Sequence, residues 1–526
     1  MIKTDITVGI KYTIEDIKEA ICCALPVEKK EIREIKIIKK QLKIDKEKSF
    51  ALSLGIEFSP EREAGLLKMK KKVSEYSGFN FELPEMKPKM PPVIVGAGPA
   101  GLFAALVLAE SGACPIVIER GDRVEKRRGV VSKFFSEKKL DDESNIQFGE
   151  GGAGAFSDGK LKVGGMDKYK YKVLSEFVKA GAPEDITYTV GAHLGTDKLP
   201  CYVKNIREKI ISLGGKFIYR ATLTHIENDG VKVVGARYEK DGKSELISTD
   251  RVVLATGHSA KDSFEMLKRQ GIPMEKKGFG IGVRIEHPRE YINELILGQK
   301  APEAEIGTAS YHLVTHLASG RSVYSFCMCP GGTVVAAASE YGGVVTNGMS
   351  EEARMADNSN AAHLVSVTPA DFGSDDVLAG LELQRTIERA TFKVGGGDYT
   401  APAIKLESFM KKESPKLSES VKSSYPCGVS AAPCEEYLPS FITDSLRLAM
   451  TDYDDYMRGF YYPDALIIGS ETRSTSPIRI LRGDNFMSPV LYGLYPIGEG
   501  AGYAGGIVSS GVDGVRCAER IVFEEK

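Results

Sequence analysis

Gly96, Gly98 and Gly101 stand at G-x-G-x-x-G spacing directly after the apolar residues Val93, Ile94 and Val95. Glu119 closes a second apolar run eighteen residues past the third glycine. The chemistry these residues suit is the holding of a dinucleotide. Gly96 permits a tight turn, Gly98 lets the backbone approach a pyrophosphate, and Gly101 lets a helix pack close to the strand. Pro99 and Ala100 open that helix, whose unpaired N–H groups and partial positive charge favour phosphate. Glu119, followed by Arg120, can accept hydrogen bonds from ribose hydroxyls and repels a 2′-phosphate. Spacing alone would not carry this. With 55 glycines in 526 residues, the pattern is expected about 0.6 times by chance. It recurs at Gly149/Gly151/Gly154 and Gly500/Gly502/Gly505, but only the first copy follows a strand, opens a helix and is answered by an acid.

Other residues could act on a substrate. His287 lies in R-x-E-H-P with Arg284 and Glu286, where an imidazole near a carboxylate can give or take a proton near neutral pH. The competing reading is a satisfied loop histidine. Arg473 and Arg479, with Glu471, could hold an anionic substrate or form a structural Arg–Glu pair. Cys327 and Cys329 fall on one face of a strand, which does not ensure bridging geometry. Cys427 and Cys434 form a second candidate pair. No C-x-x-C pair or histidine cluster points to a metal.

Positioning these groups takes several elements. Residues 2–10 read as a strand, Thr13 with Glu15 and Asp16 opens a helix to about Leu25, and 32–44 and 49–58 read as alternating strands. The lysine-rich run 39–48 is read as a protected edge strand rather than a polyanion-binding face. Residues 83–92, with four prolines, read as a linker. The glycine-rich run 145–161 reads as a loop with close backbone approach. A helix over 201–213 precedes a hairpin of 216–226 and 232–239. Residues 251–254 read as a buried strand ending in the A-T-G turn and His258. The last segment gives a strand at 465–468, a glycine-rich turn at 493–506 and a helix from about Ile507.

Length allows about three to four domains or subdomains. Formal net charge is −2, so no global field recruits nucleic acid or anionic membrane. No apolar run is long enough to span a bilayer, the opening residues lack the apolar core of a signal peptide, and nine scattered cysteines suggest a reducing compartment. A cytoplasmic protein with a small-molecule substrate and no nucleic-acid or membrane partner is expected.

The strand–glycine–helix unit with its acid, the A-T-G strand end at Ala255, Thr256 and Gly257, and GLYPIGE over 493–499 together resemble two-dinucleotide-fold FAD flavoproteins. ETRSTSPIRI over 471–480, GVRIEHP over 282–288, FCMCPGG over 326–332 and GEGAGYAGG over 498–506 narrow the resemblance. They look like the bacterial family of uncharacterised FAD-dependent, NAD(FAD)-utilising dehydrogenases. The resemblance implies that Glu499, beside Gly498, stands where those proteins place an acid against the ribityl chain. Gly505, Gly506 and Ile507 would then open a helix aimed at the flavin. It also implies that Ser157, Asp158 and Lys160 line the flavin or its substrate face, and that Arg473 could stabilise flavin N1/O2. The C-x-x-x-x-C arrangement of disulfide reductases is missing.

The fold expected is α/β. A Rossmann-like FAD-binding domain lies in two parts, 89–282 and 461–526, with an inserted α+β substrate-side domain at 283–460 and a small N-terminal α+β domain at 1–88. The function expected is an FAD-dependent oxidoreductase using non-covalent FAD, with NAD(P)H as a possible transient donor. Two alternatives stand beside it: NAD-dependent dehydrogenation without flavin, and a flavin-bearing sensor or RNA-associated protein with residues 1–88 as partner module.

Overall fold

The computed structural model describes residues 1–44, 47–69, 73–161, 165–302 and 304–524. The first unit is a four-stranded sheet with one helix capped by Thr13, whose side chain accepts from Asp16 N while Asp16 caps back. Alternation in Ile2–Gly9 puts Ile2, Ile6 and Val8 into its core. A second helix, Pro60–Leu67, was not anticipated. Strand Glu34–Ile44 is an edge of the sheet, as its lysines suggest, although residues 45 and 46 of the lysine-rich run lie outside the described residues. That edge is partly covered. Lys40 N–H donates to the Tyr188 carbonyl, and Val190 N–H donates back to the Lys40 carbonyl, both at 2.8 Å.

The dinucleotide unit is built on five parallel strands in the order Leu494–Pro496, Val252–Leu254, Val93–Val95, Ile116–Glu119, Lys216–Tyr219. The apolar runs of the three inner strands and of Leu494–Pro496 suit a sheet covered on both faces, apart from Glu119 at the end of one strand. Helix Pro99–Glu110 is buried almost throughout and packs against helix Ile507–Glu524, so the two ends of the chain's glycine-rich chemistry share one core. The strand expected over 216–226 is two strands. Arg220 takes a left-handed conformation, φ +54°, and its guanidinium pairs with Asp122 and Asp141, turning the chain out of the parallel sheet. Thr222–Asn228 then joins Val233–Lys240 and an unanticipated third strand, Lys243–Ser248.

The third unit is a seven-stranded sheet centred on Asn358–Val367, Phe279–Pro288 and Leu466–Glu471. Helices Ala379–Gly395 and Ser440–Tyr456 cover it. Its limits differ from the boundaries expected at 283 and 460. Phe279–Pro288 begins earlier, and Leu466–Glu471, expected in the second part of the dinucleotide domain, pairs with it antiparallel. An apolar run such as 466–468 fits the middle of either sheet, and only its pairing partner tells them apart. Among the described residues no helix is long and apolar enough to cross a membrane.

Candidate functional site

A cavity of about 1760 Å³, open mouth included, lies at the carboxyl ends of the parallel strands. That is where open α/β sheets bind ligands. The Gly96 turn follows one strand, Glu119 and Arg120 end the next, and Thr256 and Gly257 follow the third. Gly498 and Glu499 follow the fourth, and all of these residues line the cavity. Gly96 has φ +101°, and a Cβ there would lie 2.4 Å from the Ala255 carbonyl oxygen. Gly101 does not reach the cavity. A Cβ on it would sit 1.9 Å from the Gly96 carbonyl oxygen, so its role is the close helix–strand packing. Gly98, Pro99 and Ala100 present the first turn of the helix to the cavity, with no side chain capping it. Gly505, Gly506 and Ile507 present the start of a second helix, Ile507–Glu524. Two helix N-termini thus face one space.

The acids differ in their partners. Glu119 is buried and accepts from three backbone amides: Ala97 at 2.8 Å, Gly121 at 2.9 Å and Gly149 at 3.0 Å. It therefore ties the first glycine turn to the glycine-rich loop while facing the cavity. Glu499 is half-buried, with His258 Nε2 4.0 Å from its carboxylate. Burial raises its pKa to about 7, against the opposing pull of Lys277. Burial, and then Arg473, push His258 down to about 4, so the imidazole is neutral. Arg120 is held by Asp262 (3.2 and 2.5 Å) and Glu143 (3.2 Å).

The glycine-rich loop has an organiser that sequence reading missed. Arg127, fully buried, donates to five carbonyls of the loop: Asn145, Ile146, Glu150 and Gly152 at 2.8 Å, and Gly149 at 3.2 Å. The planar five-donor guanidinium is suited to such a cage. Ser157, Asp158 and Lys160, further along, reach the cavity wall. Ser157 Oγ shapes the loop by accepting from Gly159 N at 3.1 Å, and Asp158 pairs with Arg354 at 3.2 and 2.7 Å. Asp513 was also missed. It accepts from Gly498 N at 2.7 Å and from Arg482 at 2.9 and 2.7 Å, fixing the third glycine turn.

Opposite stands the seven-stranded sheet with the residues that follow its strands, contributing Phe326, Cys327, Glu471, Arg473 and Ser474 to the wall, and Asn347 joins them from the two-stranded sheet of Thr333–Ala336 and Thr346–Met349. Glu471 and Arg473 do not pair with each other. Glu471 takes Arg284 at 2.6 and 2.7 Å, and Arg473 takes Glu388 at 2.9 and 2.7 Å. Both are buried, paired groups that stiffen the wall. Arg479 lies off the cavity and pairs with Glu275. His287 is not brought to the site. It is fully buried with Nε2 3.2 Å from the Phe460 carbonyl oxygen and its ring against Phe460, because the register of Phe279–Pro288 turns it into the apolar core. Burial holds its pKa down at about 4. Cys329 is buried, pushed up to about 12, and its Sγ donates to the Cys327 carbonyl at 3.2 Å. Cys427 and Cys434 sit in different hydrophobic clusters. Among the described residues no cluster suits a metal ion.

Residues 278–474 match the family model described as FAD-dependent protein, C-terminal domain-like. Residues 90–294 match that described as pyridine nucleotide-disulphide oxidoreductase. Over 534 aligned residues the chain is 42% identical to an uncharacterised protein of Clostridium beijerinckii, with 98% of each chain covered. The chain belongs to this family of FAD-dependent oxidoreductases. It is also similar in structure to a flavin-dependent brominase (12% identical, TM-score 0.38, 82% of this chain and 79% of that one). A second similar structure is the glycerol-3-phosphate dehydrogenase of Bacillus halodurans complexed with FAD (11% identical, TM-score 0.33, 84% and 64%).

The residues present fit FAD. Gly98 leaves its Cβ position facing only the Gly152 backbone at 3.8 Å, which is room for a phosphate to come close. Glu119 has acceptor capacity left for a ribose, and Glu499 is an acid for polyol hydroxyls. Dithiol chemistry has no counterpart in the matched nucleotide domain: Cys114 and Cys201 are its only cysteines, both exposed and off the cavity.

Proposed function

We propose that this oxidoreductase moves a hydride between a small-molecule substrate and non-covalently bound FAD, in the space between the parallel sheet and the seven-stranded sheet. One observation carries the reading: the cavity has two unlike walls. Glycine turns and helix N-termini form one, and buried polar side chains from a different sheet form the other. When bound, FAD supplies the hydride-accepting ring. This chain's residues bind, orient and exclude water. Glu119 and the first helix hold the adenosine half, Glu499 the polyol, and the Glu471–Arg284 and Arg473–Glu388 pairs keep the substrate wall from moving. Among the described residues there is one all-parallel sheet, so an NAD(P)H donor would enter the same cleft from the substrate side. A cytoplasmic setting without nucleic-acid or membrane partners belongs to the same proposal.

Anaerobic mixing with NADH, NADPH and a panel of small metabolites, followed at the flavin absorbance band, tests this. Bleaching by at least one donor supports the proposal. A flavoprotein that no donor bleaches, although dithionite does, would contradict it.

A further inference from the structure

The charges lining the cavity are almost all spoken for. Arg120 is matched by Asp262 and Glu143, Arg473 by Glu388, and Arg284 behind the wall by Glu471. Asp158 is taken by Arg354. Glu499 lies at the strand end on the cofactor side. Among the described residues Lys160 is the remaining cation on the wall. Its Nζ donates to the main-chain carbonyl of Met328, and among the described residues it makes no ion pair.

The setting of that contact is unusual. Strand Ser322–Cys329 is bulged between Phe326 and Cys329, and Cys327 adopts φ +42°, rare for a residue with a side chain. The bulge aims adjacent carbonyls at two different cations: Met328 at Lys160, and Cys327 at Arg284 Nη1, 3.1 Å away. Arg284 continues to Asn347 Oδ1 at 3.4 Å, which also accepts from Gly348 N at 2.8 Å. With its oxygen occupied, Asn347 is left with its NH₂ as the free polar end, and it lines the cavity. Lys160 and Asn347 therefore stand on either side of one bulge, an unmatched ammonium and an unused amide donor. Asp158 attracts this ammonium but is itself paired with Arg354, so a cation whose hydrogen bond goes to a neutral carbonyl is incompletely matched, and an anion hydrogen-bonded to it relieves that cost.

We infer that the substrate-side compartment takes a small carboxylate, gripped by Lys160 Nζ and Asn347 Nδ2 at the bulge of strand Ser322–Cys329. The inference rests on the reading of the cavity as an FAD–substrate cleft, and it replaces Arg473 and Arg479, the anion-holding candidates of the sequence, with a different cation.

The test is titration of the purified flavoprotein with acetate, pyruvate, succinate and benzoate, with acetamide, succinamide and benzamide as neutral counterparts and inorganic phosphate as a second anion. The readout is perturbation of the flavin absorbance band. At least one carboxylate should perturb saturably and bind at least tenfold tighter than its amide and than phosphate. Lys160→Met should weaken it at least tenfold with FAD retained. Lys160→Arg should stay within threefold of wild type, and Asn347→Leu should fall between. Equal response to amides, preference for phosphate, an unaffected Lys160→Met protein, or a folded Lys160→Met protein that has lost FAD would each overturn the inference. Should Lys160→Met fail to fold, Asn347→Leu decides, and a wild-type response there overturns it. A wild-type protein that takes up no FAD sinks both readings. One that is bleached by a donor yet ignores every carboxylate sinks this inference alone.

Discussion

In the proposed function Glu119 and Glu499 divide the cofactor's hydroxyl groups between them. Three backbone amides donate to Glu119. Glu119→Ala should weaken FAD binding by about 1.5–3 kcal/mol, one to two decades, in titration of the apoprotein. It should also lower the apoprotein Tm, because those amides lose their acceptor. Glu499 has its pKa raised to about 7 by burial. In the cofactor-free fold its neutral form is therefore favoured, and the stability it contributes fades as pH rises from the unfolded value, about 4.5, through 7. Hydroxyl donors from FAD favour the carboxylate, so binding releases a proton and tightens with pH. Between pH 6 and 8 the gain should be about tenfold. Glu499→Gln should flatten that slope, and an unchanged slope would remove Glu499 from the site. Both acids were singled out in the sequence, Glu119 because it ends a strand at a fixed offset from glycines and Glu499 through the resemblance to flavoproteins. Asn347, Glu388 and Arg354 were not. Their partners lie far away in the chain, as with Arg473 and Glu388, 85 residues apart, and no local pattern announces such a pair.

The glycine-rich loop between the second parallel strand and the substrate wall has one short 3-10 turn, Ala153–Phe156, and is otherwise irregular, with one arginine as its main anchor. Arg127 replaces the ladder that a strand would supply, matching five carbonyls with one guanidinium. Arg127→Lys keeps the charge but offers a point donor in place of a fork. At least two buried carbonyls would go unmet, so stability should fall by about 2–5 kcal/mol in urea unfolding, with FAD lost in parallel. A variant that keeps both would show that the loop holds itself. The loop itself was readable from its glycines. The arginine was not, because it sits in an otherwise ordinary helix, Val124–Glu137, whose polar residues mostly face water. The 216–226 segment went wrong for a related reason. Its composition is strand-like throughout, and the break depends on Arg220 reaching Asp122 and Asp141.

Across the whole molecule, three units meet around one cavity, and the first touches it indirectly. The edge strand Glu34–Ile44 bonds to 188–190, and the next residues bond to the cavity-lining Gly159 and to Leu161 just beyond the wall: Leu194 N donates to the Gly159 carbonyl at 3.1 Å, and Leu161 N to the Ala192 carbonyl at 2.8 Å. The Lys40 N–H points outward, so Lys40→Pro removes its bond to Tyr188 without breaking the ladder to strand Lys48–Glu57. Amide hydrogen exchange over 188–194 should quicken about three- to tenfold, with Lys48–Glu57 unchanged. Unaltered exchange at 188–194 would mean that the units merely touch. The dinucleotide unit was legible from patterning. The placement of strand Leu466–Glu471 was not, because an apolar strand does not name its sheet. The most direct test of the central assignment is the cofactor itself. Denaturing the purified protein, identifying the released flavin by mass and quantifying it per chain should yield close to one FAD, released without covalent attachment. A colourless protein that takes up no FAD on incubation would contradict the account at its root.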